Sequence, residues 1–165
     1  MQVRFEPSAT RPEASDRIAR LQYESWSHLY PTWPFEKYVY DLTHNRWDPE
    51  HPDDMRYAWF AIDDAENVLG VAMLVANGEV EPSDAVDLEG PWFAGLVVDP
   101  SFRRQGVGEA LLSFVIEHAR DLGFQRLRLV TEHEATYYER RGWTVERHVT
   151  LNSVPNTVMF ITLEP

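Results

Sequence analysis

The chain has 165 residues, of which 44% are hydrophobic and 13% aromatic, and it contains no cysteine. This length and apolar content predict one domain with its own core; no apolar run approaches the roughly 18–20 residues of a membrane span, and no disulfide framework, thiolate metal site or cysteine nucleophile is possible. The 15 Lys and Arg against 27 Asp and Glu give a formal net charge of -12, which opposes approach to nucleic-acid phosphates or anionic lipid and favours a cationic partner.

Taken in chain order, residues 2–6 read as a strand and 14–29 as a helix, with Ile18, Leu21, Tyr23, Trp26 and Leu29 near helical spacing. Pro31 and Pro34 break it, and a second helix is expected over 35–46. An acidic loop at 48–54 leads to apolar runs at 57–62 and 68–75, the pattern of an antiparallel hairpin. A second acidic stretch, carrying Glu79, Glu81, Asp84, Asp87 and Glu89, precedes a strand at 92–98. An amphipathic helix then runs over 107–122, closed by Gly123. Residues 125–130 form the next strand and 134–141 a short helix ended by Gly142, and 144–152 and 156–163 form a closing hairpin that turns through Ser153-Val154-Pro155. The order β-α-α-β-β-β-α-β-α-β-β defines an α/β class, a mixed sheet with helices packed on it. No repeat or linker divides the chain, so a single domain over 1–165 is expected. The first residues lack a signal-peptide apolar stretch, which makes the cytoplasm the expected compartment.

The most informative segment is Val97-Val98-Asp99-Pro100-Ser101-Phe102-Arg103-Arg104-Gln105-Gly106-Val107-Gly108, a strand that passes through an arginine-rich loop into a helix. Such a junction aims unpaired amides and the positive end of a helix dipole at one point, which suits a phosphate. Arg103 and Arg104 add charge-assisted donors. The kinase-type phosphate loop is excluded because Glu109 follows Gly108 where a lysine is required. The dinucleotide fingerprint fails at Leu111 and at Leu127-Arg128, where a small residue and an acid are needed. The bland alternative is a helix start whose glycines merely turn the chain.

Arg103-Arg104-Gln105-Gly106-Val107-Gly108 resembles the Arg/Gln-x-x-Gly-x-Gly/Ala acetyl-CoA motif of the GNAT N-acetyltransferase superfamily. Downstream, Tyr137-Tyr138-Glu139-Arg140-Arg141-Gly142-Trp143 is similar to that family's Phe-Tyr-Glu-x-x-Gly-Phe/Trp signature. The resemblance implies a mixed, mostly antiparallel sheet of about 6–7 strands flanked by about four helices, with splayed central strands. It also implies acetyl-CoA as cosubstrate and a primary amine as acceptor, attacked directly without an acyl-enzyme. Under it, the amides of Arg104, Gln105, Gly106, Val107 and Gly108, with Arg103, hold the CoA pyrophosphate. Leu96, Val97 and Val98 pair their backbone with the pantetheine arm. Tyr138 protonates the departing thiolate, a suitable role for a phenol with a pKa near ~10. Homodimers are common in such a family and are one expectation for this chain.

Two departures stand out. The family often carries an asparagine where this chain has Thr131-Glu132-His133-Glu134, and the strand positions that hold a glutamate or histidine base in some members are Trp92 and Ala94 here. An alkylammonium must still lose a proton before it attacks, and Glu132, His133, Glu81, Asp87 and Glu89 are the candidates. The histidines show no metal-ligand spacing, so no metal is expected. Tyr137 and Trp143 read as core. Aromatic residues crowd the first 60 positions, and Tyr30 and Trp33, with Trp92, are expected to line the acceptor site. With the acidic segments they favour a cationic acceptor with an apolar body. Two alternatives stay open: a non-catalytic acyl-CoA sensor or scaffold, favoured by Trp92 and Ala94, and transfer to a protein N-terminus or lysine.

Overall fold

The computed structural model describes residues 2–48, 50–51, 54–76 and 90–164. The acidic stretch at 79–89, with the candidate bases Glu81, Asp87 and Glu89, lies outside the described residues. Among the described residues the strands are β1 (Val3–Pro7), β2 (Arg56–Asp63), β3 (Val68–Val75), β4 (Trp92–Val98), β5 (Arg126–Thr131), β6 (Thr144–Leu151) and β7 (Val154–Thr162). The helices are α1 (Ser15–Trp26), α2 (Phe35–Thr43), α3 (Val107–Asp121) and α4 (Ala135–Glu139). The element order is the one the periodicity predicts; among the boundaries that differ, three have an identifiable cause.

Helix α1 stops at Trp26 rather than continuing to residue 29, and the chain turns through 27–30 with Leu29 and Tyr30 amides both donating to the Trp26 carbonyl. Helix α2 ends at Thr43 rather than near 46, because Arg46 and Arg56 exchange both backbone hydrogen bonds at 2.8 Å, which commits Arg46 to the sheet. The last hairpin turns earlier than expected. Asn152 and Ser153 both take positive φ (47° and 67°), and Leu151 pairs with Val154. That is a two-residue turn whose backbone twist matches the strands it joins. Pro155 is a strand residue, tolerated because it lies beyond the stretch of β7, Thr157 to Thr162, that pairs with β5.

The seven strands form one sheet in the order β1-β2-β3-β4-β5-β7-β6, antiparallel except for β4 beside β5. Helices α1 and α2 cover one face over Ile18, Leu42, Phe60, Val71 and Trp92; α3 and α4 cover the other over Leu69, Leu111, Val115, Leu127 and Met159. Every residue of β3 is buried, as an apolar run without alternation requires when both faces are covered. Each fully buried Leu or Ile adds about 1.5–3 kcal/mol of transfer free energy.

Two irregularities in β4 shape the interior. Its pairing with β3 passes from Val71–Val97 to Met73–Ala94, so Gly95 and Leu96 together oppose Ala72. Gly95 takes φ +70°, and an added Cβ would stand 2.6 Å from Met73 Sδ and 2.9 Å from Gln22 Nε2; only glycine fits this bulge without displacement. On its other side, β4 pairs with β5 at one position, Trp92 opposite Arg128, with the Arg128 amide donating to the Pro91 carbonyl. Beyond that pair the two strands separate, which is the splay expected of the central strands.

Candidate active site

The loop after β4 is folded by its own side chains. Asp99 accepts the Ser101 amide at 2.8 Å and its carbonyl accepts the Phe102 amide at 2.9 Å, closing a short 3-10 turn over Pro100–Phe102. Arg17 of α1 pairs with Asp99 and donates to the Val68 carbonyl at 2.8 Å, which ties the loop to the helix layer. Arg103 Nε donates to the Val98 carbonyl at 3.3 Å. Arg104 and Gly106 take φ of +63° and +81°, and α3 starts at Val107. Among the described residues no protein acceptor meets the amides of Arg104, Gln105, Gly106, Val107 and Gly108. Alternating backbone hands followed by a helix start make a concave set of N–H donors, the geometry that binds an anion.

From Arg103 a cavity of about 600 Å³ runs along β4, under the splay, to the α1–α2 connection. Leu96, Val97 and Val98 form one wall, where the separation of β5 leaves the strand edge without its neighbour. Gln22 of α1 is 3% exposed and its Nε2 donates to the Gly95 carbonyl at 3.0 Å, holding the bulge open toward the cavity. Tyr138 stands on the opposite wall, 8% exposed, with Tyr137 and Trp143 edge-on at 5.1 and 5.8 Å. Burial pushes its phenol well above the ordinary tyrosine range, with Tyr137 and Glu134 adding to the rise. It is a neutral O–H donor throughout the physiological range.

At the end of β5, Thr131 Oγ1 accepts the Glu134 amide at 3.0 Å. The tight turn places Glu132 on the cavity wall and leaves the His133 side chain 78% exposed. Glu132 Oε2 accepts from His28 Nε2 at 3.0 Å and lies 3.3 Å from His133 Nε2. His28 belongs to the turn after α1, and its carbonyl accepts from Asn152 Nδ2 at 2.8 Å, so this turn bridges to β5 and to the β6–β7 turn.

The far end is aromatic and charged. Tyr30 stacks on Trp33 at 4.0 Å and 6°, and both line the cavity with Trp92, Tyr38, Lys37, Asp41 and Arg56. The structure therefore brings Tyr30, Trp33, Trp92, Glu132, Tyr138, Arg103 and the 96–98 edge to one space, and it places His133 outside the cavity. Trp143 is core as read from sequence, at 3% exposure, whereas Tyr137 also lines the cavity and carries the Arg141 guanidinium 3.6 Å over its ring. Gln22, His28, Lys37, Asp41 and Arg56 were not identified from sequence. For Gln22 and Asp41 a signal existed, a polar residue on the buried face of an amphipathic helix; for His28 there was none.

A strand edge opened beside a nest of amides is the arrangement of a protein that admits a long phosphate-bearing ligand. The profile of the acetyltransferase (GNAT) family matches residues 16–143. The chain belongs to that family, and is accordingly an acetyl-CoA-dependent N-acetyltransferase. No curated protein matches it at a significant level. Among solved structures it is similar to an aminoglycoside 6'-N-acetyltransferase complexed with coenzyme A (TM-score 0.69, 16% identity, 100% of this chain and 98% of that one). It is also similar to a chimera of the Vibrio cholerae spermidine N-acetyltransferase SpeG and hSSAT (TM-score 0.67, 16% identity, 99% and 96%). A third is Arabidopsis thaliana NAA60 in complex with acetyl-CoA (TM-score 0.66, 15% identity, 98% and 99%). At these identities the likeness is one of fold. Among the described residues no group of three or more His, Asp or Glu is placed to hold a metal ion, and no helix is long and apolar enough to cross a membrane.

Proposed function

We propose that the protein acetylates a primary amine by direct attack of the nitrogen on the acetyl-CoA thioester. The observation that carries this is one cavity that runs from Arg103, the residue just before the amide nest, past the bulge at Gly95 to an aromatic, charged pocket. The amides of 104–108, with Arg103 and Arg104, hold the pyrophosphate, and the open edge of Leu96–Val98 receives the pantetheine arm. The acceptor arrives as an ammonium, a charge favoured by the net -12 of the chain, and gives one proton to Glu132, which His28 and His133 flank. The C–N bond then forms, the C–S bond breaks, Tyr138 donates its proton to the departing thiolate, and the second proton shed by the acylated nitrogen restores the phenol. Spermidine and aminoglycosides, the substrates in the names of two similar proteins, are amines, in keeping with this class of acceptor.

The test is release of CoA thiol from acetyl-CoA over a panel of primary amines, beside calorimetry of acetyl-CoA binding. Amine-dependent release is expected. Tight acetyl-CoA binding without release for any amine supports the sensor reading instead.

A further inference from the structure

The inner end of the cavity holds the chain's sole lysine. Lys37 lies one turn before Asp41 on α2; its Nζ donates to Asp41 Oδ2 at 2.9 Å and sits 4.2 Å over the Trp33 ring. The same carboxylate oxygen accepts from Arg56 of β2 at 3.0 Å. One oxygen thus serves two cations, and all three side chains line the cavity. Desolvation, and then the charge of Arg56, push the Lys37 ammonium below its ordinary pKa, outweighing the pull of Asp41.

An ammonium and a guanidinium donate and cannot accept. This end of the cavity sets two cations, Lys37 and Arg56, against the single carboxylate of Asp41, an excess of one positive charge. It complements an oxyanion and mismatches a polycation, even though the chain as a whole is acidic.

The register fixes where this cluster lies. Arg56 pairs with Val75 and Val75 with Trp92, so the cluster is level with the start of β4. Trp92 precedes the Gly95 bulge by three residues, a separation of about 10 Å along a strand. From these observations we infer that the acceptor is an amine that also carries a carboxylate, several bonds from its reacting nitrogen, and that Lys37 receives that carboxylate beside Arg56. The inference rests on the cavity's being a transfer site. The carboxylate takes no part in bond making; it sets the depth at which the nitrogen stops.

The experiment measures thiol release by the full chain with 4-aminobutanoate, 6-aminohexanoate and glycylglycine, each against its neutral amide, and with spermidine. At least one acid is expected to exceed its amide by about 10-fold or more in kcat/KM, mainly through KM, as one charge-assisted hydrogen bond implies. Lys37→Met should bring that ratio to within about 2-fold, and Lys37→Arg should keep most of it, with acetyl-CoA affinity unchanged in both. Amides or spermidine used as well as the acids overturn the inference and leave the transfer reading intact, and this comparison needs no variant. A preference for acids that survives in Lys37→Met overturns the assignment to Lys37. No release with any amine, while acetyl-CoA still binds, overturns the transfer reading and this inference with it.

Discussion

Gly95 is where the two halves of the cavity meet. Its φ of +70° strains any L side chain, and a Cβ would have to displace Met73 Sδ and Gln22 Nε2, 2.6 and 2.9 Å away. Gly95→Ala is expected to cost on the order of 1–3 kcal/mol of stability, read as a lower Tm, and to lower kcat/KM by distorting the strand proposed to hold the thioester. Tyr138 makes the complementary prediction. Removing a general acid typically costs 10²–10⁴-fold, so Tyr138→Phe should lower kcat by about 100-fold while acetyl-CoA binds as before, measured by steady-state kinetics and calorimetry. Because burial holds the phenol above the tyrosine range, the wild-type rate should show no alkaline fall from loss of this proton up to pH about 10. An unchanged kcat in Tyr138→Phe would remove the residue from the mechanism.

At the scale of elements, the loop after β4 and the cavity aromatics Tyr30, Trp33 and Trp92 were legible in the sequence and the charged contacts at the far end of the cavity were not, for a physical reason. The loop over 99–108 and the α4 segment are local: amide direction, turn chemistry and helix start are set by neighbours in sequence, so residue types at fixed spacing report them. The acceptor end depends on three separate segments. His28 meets Glu132 across 104 positions and Arg56 meets Asp41 across 15, contacts that arise from the sheet order and leave no periodic trace. The elements themselves were set by pattern; α1 and the last hairpin turned early through local bonds, whereas Arg46 was drawn from α2 to pair with Arg56. The local half gives a sharp prediction. Arg103→Ala with Arg104→Ala should weaken acetyl-CoA binding by about 10-fold or more, the loss of at least one charge-assisted bond, with thermal stability little altered because neither side chain is buried. Unchanged affinity by calorimetry would place the pyrophosphate elsewhere.

For the whole molecule, the net charge of -12 does not extend to the two ends of the cavity, which carry cations: Arg103 at one and Lys37 and Arg56 at the other. The buried phenols give the fold a defined alkaline limit. Tyr38 is pushed up to about 12 by desolvation, then by Tyr23 and Asp41, and Tyr138 is raised in the same direction. An unfolded tyrosine ionises near ~10. The stabilisation these protonated phenols give is fully present below that value and is lost as pH rises toward the folded pKa. Tm should fall steeply above pH about 10, and Tyr38→Phe should flatten the fall; a Tm independent of pH over that interval would contradict this. The central claim, that acetyl-CoA and the amine occupy one cavity together and react directly, is tested most directly by initial velocities with both substrates varied. Intersecting double-reciprocal lines are predicted, as for a ternary complex. Parallel lines, the mark of an acyl-enzyme formed before the amine binds, would contradict it.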